Sequence, residues 1–189
     1  MLSIIQEIDI YILDFIQNYL HSPIVDKIMI YITMIGDRGL VWIIISLWLM
    51  AYRKYRKIGI MTLSAVLLSV LFGDVILKNI IQRERPFVYN DTIKLLIPPP
   101  SSYSFPSGPT ATSFAAAGIL VEVFRKYKSL IFTFAALIAF SRLYLYVHYP
   151  TDILGGIILG LICANMVYKF AGKNIKRKFR AVDLHEDKE

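Results

Sequence analysis

The chain has 189 residues, enough for one domain, and 56% of them are hydrophobic, with a mean hydropathy of +0.55. This excludes an ordinary soluble domain: several apolar runs approach the roughly 20 residues that span a bilayer, and the alternation of a β-barrel is missing. The net charge of +7 clusters as Lys and Arg in short loops, as in cytoplasmic loops of membrane proteins, so nucleic-acid binding is not expected.

Residues 3–20 carry Ser3, Gln6, Glu7, Asp14, Gln17 and Asn18 broadly on one helical face. They predict an amphipathic helix on the membrane surface or packed on the bundle, ended by His21-Ser22-Pro23. The N-terminus lacks a basic region and a small-residue cleavage site, so no cleavable signal peptide is expected. Two short helices follow, 24–35 and 40–52, split by Gly36-Asp37-Arg38-Gly39. One long broken span is the alternative, and two charges at mid-membrane argue against it. After the basic loop 53–57 comes a span over 58–81, then a polar connection over 82–106. Helices over 107–124, 130–147 and 153–170 complete the bundle, with a second basic loop at 125–128 and a basic tail from Lys173 to Arg180. The single cysteine, Cys163, sits in the last apolar run, where a packing role is expected and no intramolecular disulfide can form.

The expected fold is all-α: a polytopic membrane bundle of about six transmembrane helices plus an N-terminal amphipathic helix. Residues 1–22 form that helix, 23–172 the transmembrane domain and 173–189 the tail. With the basic loops and C-terminus cytoplasmic, the span ends at Lys78, Ser107 and His148 all reach the outer face. Six spans put the N-terminus in the cytoplasm and five put it outside.

Three stretches at that face carry unusual residues. In Lys78-Asn-Ile-Ile-Gln-Arg-Glu-Arg85-Pro86, a seven-residue spacing returns Lys78 and Arg85 to one helical face, and Pro86 is expected to stop the helix there. Arg83 reads as an interface-anchoring cation. In Pro106-Ser107-Gly108-Pro109-Thr110, Ser107 is a good N-cap, and the helix N-terminus behind it suits an anion. In Ser141-Arg142 through His148 to Asp152, a cation, an imidazole and a carboxylate accompany Pro150, which is expected to end the preceding helix. Three cations, a histidine, a carboxylate and a helix N-terminus suit phosphoryl transfer, which depends on positioning and charge stabilisation.

These stretches resemble the type 2 phosphatidic acid phosphatase family: a lysine, six residues and Arg-Pro; then Pro-Ser-Gly-His; then Ser-Arg, five residues, His, three residues and Asp. The resemblance covers roughly residues 58–170. It implies a six-span, metal-independent and cofactor-free hydrolase of lipid phosphates, acting among membrane lipids. His148 would be the nucleophile, forming a phosphohistidine, and Asp152 its orienter; Lys78, Arg85, Ser107, Gly108 and Arg142 would hold the phosphate. The substrate implied is an isoprenyl diphosphate such as undecaprenyl diphosphate. Phosphatidic acid, phosphatidylglycerol phosphate and a binding-only relative are the alternatives. Pro109 departs from the pattern: it replaces the histidine that acts as general acid in the family, and proline has neither a proton to donate nor a backbone N–H.

Overall fold

A computed structural model describes residues 2–90 and 92–171; the tail expected over 173–189 lies outside them. Every regular element among the described residues is helical: α1 (Leu2–Tyr19), α2 (Pro23–Gly36), α3 (Leu40–Ala51), α4 (Arg56–Val70), α5 (Lys78–Ile81), α6 (Pro86–Tyr89), α7 (Gly108–Leu120), α8 (Lys128–Tyr144) and α9 (Pro150–Ala171). Residues 71–77 join α4 to α5 as a π-helical stretch without breaking the run.

Among the described residues, three helical runs are long and apolar enough to cross a membrane: Pro23–Ala51, Arg56–Tyr89 and Pro150–Ala171. The first contains the split that the sequence reading placed at 36–39. α2 and α3 are two parts of one 29-residue run, interrupted at Arg38 (φ 49°) and Gly39 (φ 72°). Asp37 and Arg38 are both exposed at this break, and Asp37 offers an opposite charge to the buried Arg142 of α8. α7 and α8 are shorter, at 13 and 17 residues.

α7 is the axis of the bundle. Twelve of its 13 residues are buried, against α4, α8 and α9. Its Ala-rich sequence permits this, because α9 presents Gly156 and Gly160 to it, four residues apart. A Cβ on Gly160 would lie 2.4 Å from Ala111 O and 2.8 Å from Ala115 N; one on Gly156 would lie 2.8 Å from Ser107 O. Small residues at this spacing let two helix backbones approach closely where lipid gives no hydrophobic drive to associate.

α1 packs on the bundle with its polar face inward. Asp9, Leu13 and Ile16 are buried, while Ile4, Ile8, Tyr11, Phe15 and Tyr19 are exposed. Gln17 Nε2 donates to Tyr144 O (3.0 Å), and Leu13 packs with Tyr146 and Tyr149. Of the two placements the sequence allowed for this helix, the polar partners select docking on the bundle. Its exposed apolar face is then the one suited to lipid.

Candidate active site

At the end of the bundle where α5, α7 and α9 meet, three cations are buried among protein: Lys78, Arg85 and Arg142 are 6%, 4% and 4% exposed. Burying charge is costly unless it is paired and hydrogen-bonded. Lys78 Nζ lies 2.5 Å from Asp74 Oδ1, one helical turn earlier, and donates to Ser102 Oγ at 3.3 Å. Arg85 donates from Nε to Ser102 O (2.6 Å) and from Nη1 to Val147 O (2.7 Å). Arg142 Nη1 bonds Thr33 Oγ1, and Arg142 Nε has no hydrogen-bond partner. The cluster holds more donors than its protein partners satisfy.

Lys78 and Arg85 converge by a different route from the expected one. The helix ends at Ile81, where Gln82 turns left-handed (φ 50°), and Arg85 is extended. Pro86 begins α6 instead of ending α5, as suits a proline at a first helical position. The two cations meet because both reach Ser102: Arg85 Nη2 donates to its Oγ at 3.2 Å. A left-handed turn at glutamine leaves little trace in a hydrophobic pattern.

His148 sits in the short connection between α8 and α9. α8 ends at Tyr144, earlier than expected; Val147 N–H still donates to Arg142 O (3.2 Å), and Tyr146 is left-handed (φ 58°). A non-glycine residue held there costs of order 1 kcal/mol, and such outliers cluster at functional sites. Pro150 opens α9 instead of closing α8.

Asp152, in the first turn of α9, reaches back so that Oδ2 accepts the Tyr149 N–H at 2.9 Å, the reciprocal half of a capping box. Oδ2 also accepts from Ser104 Oγ (2.5 Å), and Oδ1 accepts from Arg83 Nη1 (2.7 Å). Asp152 Oδ2 stands 3.5 Å from His148 Nδ1, a charge contact without a formed hydrogen bond. Catalytic hydrogen bonds are often long before substrate binds. Arg85 Nη1 donates to His148 Nε2 (3.2 Å), so Nε2 carries the lone pair and Nδ1 the proton of the neutral ring. Burial, with the Arg85 and Arg142 charges, lowers the His148 pKa to about 3 against the opposing pull of Asp152. The imidazole is therefore neutral near pH 7, with its lone pair on the nitrogen that faces the cations.

Ser107 does not cap α7 through its side chain. Its Oγ pairs with Thr110 Oγ1 at 2.8 Å, and its N–H donates to Asp152 O at 3.1 Å. The hydroxyl at Thr110 competes successfully for the serine. Gly108 is required by a close approach: a Cβ there would lie 2.8 and 3.0 Å from the two oxygens of Asp74. Pro109 is buried in the first turn of α7.

Arg83, which the sequence reading took for an interface anchor, and three residues that it passed over, Asp74, Asp9 and Ser104, belong to this site. Arg83 is no free anchor; it pairs with Asp152 and, through Nη2, with Asp9 Oδ2 at 2.7 Å. Asp74 was legible as a carboxylate at i−4 from Lys78. Asp9 had no signal that set it apart from Glu7 and Asp14 on the same helix. Ser104 carried none. His148, Asp152, Arg85, Arg83 and Ser104 form one continuous contact set; Lys78 joins it through Ser102, and Ser107 through Asp152 O. A neutral imidazole lone pair flanked by buried cations and a helix N-terminus can bind a phosphoryl group and attack it. No cluster of three or more metal-ligating side chains occurs among the described residues.

Residues 55–176 match the family model described as PAP2 superfamily. The chain is 31% identical over 144 residues to an undecaprenyl-diphosphatase from Sulfolobus acidocaldarius, across 76% of this chain and 69% of that one. Its fold is similar to the crystal structure of Aquifex aeolicus LpxE (TM-score 0.76, 27% identity, 86% of this chain and 95% of that one). It is also similar to a transmembrane PAP2 type phosphatidylglycerolphosphate phosphatase from Bacillus subtilis (TM-score 0.74, 30% identity, 89% and 87%).

Proposed function

Because the chain belongs to the PAP2 superfamily, we propose that this membrane lipid phosphatase hydrolyses an isoprenyl diphosphate of the undecaprenyl diphosphate class through a phosphohistidine on His148. The observation that carries the reading is the neutral, buried His148 with Nε2 turned toward Arg85. Lys78, Arg85, Arg142 and the amides at the start of α7 bind the terminal phosphate, and Arg85 then gives its Nε2 contact to a phosphate oxygen. The Nε2 lone pair attacks phosphorus as the bond to the bridging oxygen breaks, and that oxygen leaves on the lipid monophosphate. Asp152 steadies the charge that the ring acquires at Nδ1–H. Water then attacks the phosphohistidine, releasing inorganic phosphate and restoring the lone pair.

Substrate choice rests on Pro109. Without an acid at that position the leaving oxygen departs unprotonated. A diphosphate expels a phosphate monoester with a last pKa of about 6, whereas a lipid monophosphate must expel an alkoxide. The undecaprenyl-diphosphatase relative points to the same class.

We place the site on the extracytoplasmic side. The basic stretches 53–57 and 125–128 lie together at the opposite end, where Tyr55 and Phe124 meet at 5.6 Å, and basic loops favour the cytoplasm. α1, docked at the site, is then on the outer side too, in place of the cytoplasmic N-terminus that six spans imply. Phosphate release from farnesyl diphosphate in detergent tests the proposal: His148→Ala abolishes it, and quenched turnovers leave an acid-labile phosphate on His148. Release that survives His148→Ala ends the mechanism. Phosphate-sensitive binding without release, before and after Pro109→His, favours a binding-only protein.

A further inference from the structure

Asp9 is 1% exposed, and the partners of its carboxylate all belong to the site. Its Oδ1 accepts the Thr151 N–H at 3.0 Å, and Oδ2 accepts from Thr151 Oγ1 (2.5 Å) and Arg83 Nη2 (2.7 Å). Thr151 is in the first turn of α9, so Asp9 supplies in trans the anion that this helix N-terminus favours. Arg83 completes a bridge. Nη1 reaches both Thr151 Oγ1 and Asp152 Oδ1 at 2.7 Å, and the guanidinium stacks on the Tyr149 ring, 3.9 Å from its centre. Gln6 Oε1 receives a further bond from Nη2 at 3.3 Å.

The division of labour at Asp152 gives this bridge a function. Oδ1 is taken by Arg83, and Oδ2 by Ser104 and the Tyr149 N–H. With both oxygens fixed, the carboxylate cannot rotate, and Oδ2 is held toward His148 Nδ1. We propose that Asp9 and Arg83 are positioning residues for the His148–Asp152 pair, so that α1 is part of the catalytic apparatus. Asp9 and the rest of α1 lie outside the segment 55–176 that matches the family model, whereas Arg83 lies within it. A guanidinium suits this place better than an ammonium, because its planar fork addresses two carboxylates at once.

The inference rests on the proposed role of His148, and the test separates the two. Full-length protein carrying 15N-labelled histidine has only three histidines, His21, His148 and His185, so the His148 ring can be assigned with His148→Gln. In the parent protein, Nδ1 carries the proton and the ring stays neutral to low pH. Arg83→Gln removes a cation near the pair, so the ring titrates about one pH unit or more higher. Arg83→Lys keeps the charge and restores most of that shift. With farnesyl diphosphate, Asp9→Asn and Arg83→Gln each lower kcat by about 10²-fold, as a misplaced catalytic group does, while KM changes little. Folded Arg83→Gln and Asp9→Asn proteins with an unaltered His148 titration overturn the inference, even if their melting temperatures fall or no variant turns over. An altered titration without turnover in the parent overturns the catalytic reading and leaves the positioning role standing.

Discussion

Replacing Pro109 by alanine and, separately, by histidine divides its effect into two parts. A helix leaves its first amides without internal partners. At the start of α7, Ser107 N–H goes to Asp152 O and Ala111 N–H to Ser107 O. The anion is left with the amides of Gly108 and Thr110 and nothing between them, because proline has no N–H. Pro109→Ala restores that one donor. A hydrogen bond to a charged group contributes about 1.5–3 kcal/mol, or about 10- to 100-fold in rate where it strengthens in the transition state. The gain does not depend on the leaving group, so alanine raises farnesyl diphosphate and phosphatidic acid hydrolysis by the same factor. Pro109→His restores the donor and adds a general acid, which contributes about 10²- to 10⁴-fold where the leaving oxygen needs a proton. That increment falls on phosphatidic acid and scarcely on the diphosphate. Phosphate release from both lipids in mixed micelles, for all three proteins, gives the ratio directly. A histidine variant that gains no more than alanine on phosphatidic acid refutes the acid argument. An alanine variant with no gain on either lipid refutes the missing-amide argument.

Four other outcomes follow from the same geometry. His148 has a folded pKa of about 3 against about 6.5 unfolded. The unfolded chain therefore takes up the proton first, and stability falls as pH drops from about 6.5 toward 3; melts compared with His148→Gln should show that acid slope shrinking in the variant. Gly108→Ala drives a Cβ to 2.8 Å from Asp74 and should raise KM through displacement of the Lys78 partner, whereas an unchanged KM would show that Asp74 does not set Lys78. Gly160→Leu places its Cβ 2.4 Å from Ala111 O and should destabilise by at least the 1–3 kcal/mol typical of overpacking, read as a lower melting temperature in detergent. Because Lys78, Arg85 and Arg142 supply the positive charge, phosphate release should survive EDTA; loss restored by a divalent ion would place a metal in the reaction.

That Lys78, Arg85, Ser107, Gly108, Arg142, His148 and Asp152 reach one end of the bundle was legible from helix direction, although the helical spacing expected to align Lys78 with Arg85 is not the route taken. Helix direction does not depend on which helices touch. The errors arose where a side chain's partner lies far along the chain. Arg83 looked like an anchor because nothing within several residues could bind it; its partners Asp9 and Asp152 are 74 and 69 positions away. The helix end at Tyr144 and the left-handed turn at Gln82 were missed for a related reason, whereas the end at Ile81 falls where the span over 58–81 was expected to close. The strongest breakers nearby, Pro86 and Pro150, start helices, while the chain turns at Gln82 and Tyr146, residues with no special preference for the left-handed region. Such conformations persist only when the surroundings over-determine them. Around Tyr146 they do: its hydroxyl contacts Asp14 of α1 at 3.4 Å, and its N–H donates to Leu143 O at 2.9 Å. Held in this way, the connection carries His148 to Arg85 on one side and Asp152 on the other. The backbone strain and the docking of α1 are thus two parts of one arrangement, and loosening α1 should release the turn that presents His148.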